Sequence, residues 1–120
     1  MSESPSIQIF LAPDFQRQLR KLAKRYRSIR ADLQSLLDDL QTGNCPGDQI
    51  SGTTYTVFKV RVKNSDIQKG KSGGYRVIYE LRNDACILLV VIYSKSDQND
   101  FPVDQICEII TAFNQASSES

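Results

Sequence analysis

The run Tyr55-Thr-Val-Phe-Lys-Val-Arg-Val-Lys63 places three cations, Lys59, Arg61 and Lys63, at every second position between Phe58, Val60 and Val62. Successive side chains of a strand leave opposite faces, so one face is apolar and the other carries cations about 7 Å apart. That interval is close to the spacing of successive phosphates along a single nucleic-acid strand. In Tyr75-Arg-Val-Ile-Tyr-Glu-Leu81, Arg76 has the parity opposite to Tyr75, Val77 and Tyr79. With Val77 and Tyr79 directed into a core, Arg76 joins the cationic face. The competing reading is a solvated sheet face on which Lys and Arg discourage edge pairing, and composition weighs the two about equally.

Between these two strands lies Lys69-Gly-Lys-Ser-Gly-Gly74, which contains the Gly-Lys-Ser of a nucleotide phosphate loop. That loop needs a glycine where this chain has Ser65, and a following helix whose N-terminal amides hold the phosphates. Here a strand rich in aromatic and β-branched residues follows, which argues against a nucleotide hydrolase. Gly70, Gly73 and Gly74 beside Lys69 and Lys71 let the backbone approach a ligand closely. They are equally compatible with a turn or bulge at a strand start.

The chain of 120 residues has no histidine, 15 Lys and Arg, and 14 Asp and Glu. Histidine-based triads and histidine-pair ribonuclease chemistry are therefore excluded, and catalysis has to rest on Lys, Arg, Tyr, Asp or Glu. Three cysteines, Cys45, Cys86 and Cys107, read as free thiols, with Cys86 and Cys107 expected in the core. Neither metal nor cofactor is expected. The charge is segregated: seven basic residues and no acid lie from Arg17 to Arg30, and six basic residues against Asp66 alone lie from Gln49 to Tyr79. Basic blocks in a near-neutral chain point to a local anionic partner, most often nucleic acid. Arg17, Lys21 and Lys24 on the first helix are candidate phosphate contacts, although a solvated helix face is the commoner outcome. With no apolar run long enough to span a bilayer and no signal-like N-terminus, a cytoplasmic protein without membrane contact is expected.

Periodicity supplies the elements that must hold these residues. Ile7 to Leu11 reads as a strand, Pro13 opens a helix carrying Phe15, Leu19, Leu22 and Tyr26, and Ser28 is a candidate N-cap for a second helix ending at Gly43. Three strands follow, Tyr55 to Lys63, Tyr75 to Leu81 and the wholly apolar Cys86 to Tyr93. A terminal helix begins after Pro102 and carries Ile106, Ile109, Ile110 and Phe113. The order predicts an α+β domain over residues 1–116, with about four strands in a small, mainly antiparallel sheet packed by an N-terminal helical hairpin and a C-terminal helix. Residues 117–120 read as a disordered tail.

Together the helical hairpin, Val57-Phe-Lys-Val-Arg-Val62, Lys71-Ser-Gly-Gly-Tyr-Arg-Val-Ile-Tyr79, Ile92-Tyr-Ser-Lys95 and the terminal helix resemble the RelE family of bacterial toxins, within the RelE/ParE superfamily, and especially its HigB-like members. Ser72 to Tyr79 is the most specific segment. The resemblance implies a toxin of a type II toxin-antitoxin pair, a metal-independent endoribonuclease that cleaves messenger RNA in the ribosomal A site and inhibits translation. Its partners would be a cognate antitoxin, the ribosome and mRNA. Superfamily members that block gyrase by protein contact, and an inactive RNA-binding homologue, are the alternatives.

Carried onto this chain, the resemblance places Lys59, Arg61 and Arg76 at catalytic positions, Lys95 at or next to another, and Phe101 among the RNA contacts, which Lys63 of the cationic strand and Lys69 and Lys71 of the glycine loop join. Attack of a ribose 2′-hydroxyl on the adjacent phosphate needs a proton acceptor, a donor to the leaving 5′-oxygen and positive charge around the phosphorane. Lys59 is assigned the base, Arg61 and Arg76 the phosphate, and Lys95 an assisting position. Phe101 falls near the place of a catalytic tyrosine, and a phenyl ring can stack on a base but has no proton to donate. Tyr93 is an unassigned phenol that could compensate for that missing donor, a core tyrosine being the commoner outcome.

Overall fold

A computed structural model describes residues 7–67 and 74–118. The elements run β1 (Gln8–Leu11), α1 (Pro13–Arg25), α2 (Ile29–Gln41), β2 (Asp48–Ile50), β3 (Val57–Val62), β4 (Tyr75–Asn83), β5 (Cys86–Ser94) and α3 (Val103–Ser118). They build one five-stranded sheet in the order β1-β5-β4-β3-β2, antiparallel except for the parallel β1-β5 pair. β2 is a strand that periodicity did not show: three residues, Asp48 to Ile50, pair with Lys59 to Val57. Helix α3 runs through Ser118, two residues into the segment expected to be tail.

The hairpin α1-α2 covers one face of the sheet and α3 the other. Phe15, Leu22, Leu33, Leu36 and Leu40 pack on Val60, Val62, Tyr75, Val77, Tyr79, Leu89 and Ile92. On the opposite face Ile106 and Ile110 of α3 meet Val57, Ile78, Leu88, Val90, Val91 and Tyr93. Burying each of these larger aliphatic side chains contributes about 1.5–3 kcal/mol. β5 serves both cores because it is apolar along its whole length, as a strand buried on both faces must be.

One irregularity in β5 decides which residue faces which core. Ile78 pairs with Val91 while Tyr79 pairs with Leu89, so β5 carries one extra residue there, a β-bulge. Strict alternation would place Tyr93 on the same face as Leu89. After the bulge it lies on the other face, with Leu88 and Ile78.

Two local expectations change. Ser28 makes no side-chain cap at α2; its N–H instead donates to Asp66 Oδ2 at 2.8 Å, and Asp32 Oδ2 accepts from Ser65 N–H at 2.9 Å. The loop after β3 thus caps the helix, which local sequence cannot reveal. Cys86 and Cys107 are half-buried free thiols rather than core residues, because the positions beside them carry the inward-facing side chains. Gly43 closes α2 at φ 98°, as expected of a left-handed helix end.

Candidate anion site on the sheet

The cations predicted on β3 and β4 share one sheet face, next to the part covered by α3. Arg61 lies directly opposite Arg76, and Arg76 directly opposite Tyr93, so three strands contribute one transverse row. Lys59, opposite Ile78, stands one pleat away. The row forms because Val60, Val62, Val77 and Tyr79 fill the hairpin core, leaving residues of the other parity no place except the opposite face. Directly opposed side chains of an antiparallel pair stand about 5 Å apart at Cβ, and like charges there are destabilising. Arg76 shows the effect: burial first, then the charge of Arg61, lower its pKa below the usual guanidinium value.

Gly74 sets the entry to β4. It sits at φ 96°, and a Cβ there would come within 2.7 Å of the Val62 carbonyl oxygen. Its own carbonyl accepts the Lys95 N–H at 3.0 Å, joining the entry of β4 to the exit of β5. Lys95 consequently emerges at the same end of the sheet as Arg76, near the carboxylate of Asp100.

The connection from β5 to α3 closes over this end. Asp100 Oδ1 accepts from Lys59 Nζ at 3.0 Å and from Phe101 N–H at 2.9 Å. These two bonds, the Lys59 one first, hold the Asp100 pKa below the usual carboxylate range. Phe101 stacks on Tyr93, with ring centroids 6.1 Å apart and planes 21° apart. Farther along, Asp97 Oδ2 pairs with Arg25 Nη1 at 2.8 Å, tying the connection to the end of α1. Both ends of that pair are exposed, so it contributes no more than about 1 kcal/mol.

Tyr93 is 4% exposed and its hydroxyl has no hydrogen-bond partner among the described residues. Burial raises its pKa, the nearby Lys59 and Arg76 oppose the rise, and Asp100 adds to it. Neither Tyr93 nor Asp100 was among the expected site residues. In the sequence Tyr93 is only a phenol that could stand in for the missing tyrosine, a core position being the commoner outcome, and Asp100 is one polar residue of a loop.

Not all of the expected contacts meet. Lys63 is exposed just beyond β3 and lines, with Arg61, a groove of about 400 Å³ against Asp32, Ser35 and Asp39 of α2. Arg17, Lys21 and Lys24 are exposed on α1, in the layer on the other side of the sheet from Arg76, and Arg17 is paired with Asp14 at 2.9 Å. Lys69 and Lys71, with the Gly-Lys-Ser segment, lie outside the described residues. Among the described residues no helix is long and apolar enough to cross a membrane.

The arrangement can hold an anion between Arg61 and Arg76 with Lys59 to one side. No curated protein and no solved structure matches the chain. The family model described as ParE toxin of type II toxin-antitoxin system, parDE, matches residues 9–99, from β1 to the connection after β5, and so includes Lys59, Arg61, Arg76, Tyr93 and Lys95. The chain belongs to this family and is a toxin of the type II toxin-antitoxin class.

Proposed function

We propose that the toxin acts on RNA, as a metal-independent endoribonuclease that cuts messenger RNA on the ribosome, in the manner of the RelE and HigB-like branch. The observation that carries this reading is the direct opposition of Arg61 and Arg76 beside Lys59. Two arginines placed directly opposite across a strand pair cost stability in the free protein, a cost that a bound anion relieves. In the reaction Lys59 first gives its ammonium proton to solvent; the 2′-oxygen then bonds to phosphorus as its own proton passes to the neutral Lys59 amine, and the bond from phosphorus to the 5′-oxygen breaks as that oxygen takes a proton from water. Arg61 and Arg76 stabilise the charge of the phosphorane. Lys59 becomes available only when Asp100 releases it. Lys95 adds positive charge at the same end of the sheet. The antitoxin that this class of toxin implies would be the physiological brake.

The family description itself favours a second reading, a toxin that blocks gyrase by protein contact. Under it the cationic row would meet an acidic protein surface and no phosphodiester would be broken. Inducing the toxin in growing cells and mapping RNA 5′ ends separates the two. New ends within translated codons are expected. Growth arrest with intact transcripts and inhibited supercoiling by gyrase would overturn the nuclease reading in favour of the second.

A further inference from the structure

Three phenols lie deep in the sheet, and they are treated differently. The Tyr79 hydroxyl donates to the Pro46 carbonyl at 2.6 Å. Those of Tyr75 and Tyr93 have no partner among the described residues. A buried hydroxyl without a bond is a cost that phenylalanine would avoid. The surroundings of the two phenols differ in balance: Asp32 and Asp66 with Arg25 lie toward Tyr75, whereas Lys59 and Arg76 with Asp100 lie toward Tyr93. An anion is repelled from the first and drawn to the second.

We infer that Tyr93 is a phosphate-contacting residue, its hydroxyl donating a hydrogen bond to an oxygen of the phosphodiester that Arg61 and Arg76 hold. The inference rests on reading the row as an RNA site and adds to it the donor that Phe101 cannot be. Tyr93 stands directly beside Arg76 across the β4-β5 pair, so a phosphate on that guanidinium lies next to the phenol. A phenol is protonated at neutral pH and so can donate, and burial only raises its pKa further.

In the free protein the hydroxyl is covered. Phe101 lies on the Tyr93 ring, and the neighbouring Asp100 occupies Lys59 with a carboxylate. Residues 96–100 are exposed, and Asp100 is 72% exposed against 34% for Lys59. The contact that holds the cover is therefore a surface pair, weak enough for a phosphate to replace. Incoming RNA takes the cation from Asp100, the connection shifts, and Tyr93 meets the oxygen that has arrived.

The test uses the full chain and a single-stranded 2′-O-methyl RNA oligonucleotide, whose blocked 2′-oxygen prevents cleavage, with binding read by fluorescence anisotropy at low salt. Tyr93→Phe is expected to weaken binding about tenfold, the loss of one hydrogen bond to a charged group, while its urea midpoint stays at or above that of the native chain. Unchanged binding by Tyr93→Phe, or a loss that merely follows a lowered midpoint, would overturn the inference. So would native-like binding by Arg76→Ala, which would remove the phosphate site altogether. RNA cleavage on translating ribosomes is scored separately. Weakened oligonucleotide binding with no cleavage by the native chain keeps Tyr93 and discards the nuclease; cleavage with unchanged Tyr93→Phe binding does the reverse.

Discussion

The two faces of this sheet are built from the same strands and obey different rules. On the hairpin side most inward groups are apolar; of the two phenols buried there Tyr79 has a carbonyl to bond, and Tyr75 has no partner among the described residues. On the α3 side the helix covers only part of the face, and beyond Ile106 and Ile110 stand Arg61, Arg76, Lys59 and an unpartnered phenol. An idle hydroxyl is thus common to both faces. The α3 face adds two arginines directly opposed across β3 and β4, a cost that folding alone would remove. We read the concentration of such costs around Arg76 as the mark of the proposed site.

Substitutions on the two faces should therefore fail in different assays. Leu40→Ala, at a fully buried hairpin position, is expected to lose about 3 kcal/mol in urea unfolding, within the range for leucine truncation in a core. Arg76→Ala is expected to reduce RNA cleavage on translating ribosomes about 100-fold, the scale of losing one charge-stabilising donor. Its urea midpoint should hold or rise, because the opposed charge of Arg61 is relieved; a fall like that of Leu40→Ala would make Arg76 a structural residue and erase the contrast.

Smaller changes sharpen the same contrast. Tyr79→Phe strands the Pro46 carbonyl and should cost about 1 kcal/mol, with RNA binding unaltered. Asp100→Asn weakens the hold on Lys59 and is expected to tighten oligonucleotide binding about threefold while moving stability by less than about 0.5 kcal/mol, as an exposed pair allows.

The last prediction concerns pH. Glu80 is buried beside Arg82, whose Nη1 lies 3.0 Å from Oε1, and burial outweighs that partner, so its pKa is raised above 4.5. Folding thus disfavours the charged carboxylate. The favourable contribution is complete below pH 4.5 and is lost as pH rises through the folded-state value. Urea midpoints of the native chain and Glu80→Gln, followed upward from pH 4.5, should show a downward component in the former that the latter lacks; parallel curves would exclude it. Glu80 lies on the α3 side, so this too separates that face from the hairpin side.

Much of this was present in the order of residues. The 3.6 period of Phe15, Leu19 and Leu22 and the alternation of Val60 and Val62 with Lys59 and Arg61 determined a helix, a strand and the parity of the cations, because side-chain direction repeats along each element. Parity also put Arg76 on the same face once Val77 and Tyr79 were inside. β2 escaped notice because three residues give alternation too little length to be seen. The α2 cap escaped because its acceptor, Asp66, is far away in sequence.

What tertiary structure alone decided is which residues stand together. Parity says that Arg61 and Arg76 share a face, but only the β3-β4 register sets them opposite one another. The pairing of Asp100 with Lys59 spans 41 residues and depends on how the chain returns after β5. Tyr93 is the clearest case. Cys86 to Tyr93 has no polar alternation, so nothing in its composition distinguishes one face from the other. One extra residue against Ile78 and Tyr79 turns the strand and carries the phenol from the hairpin side to Arg76. A bulge changes facing without changing composition, and for that reason it has to be seen folded.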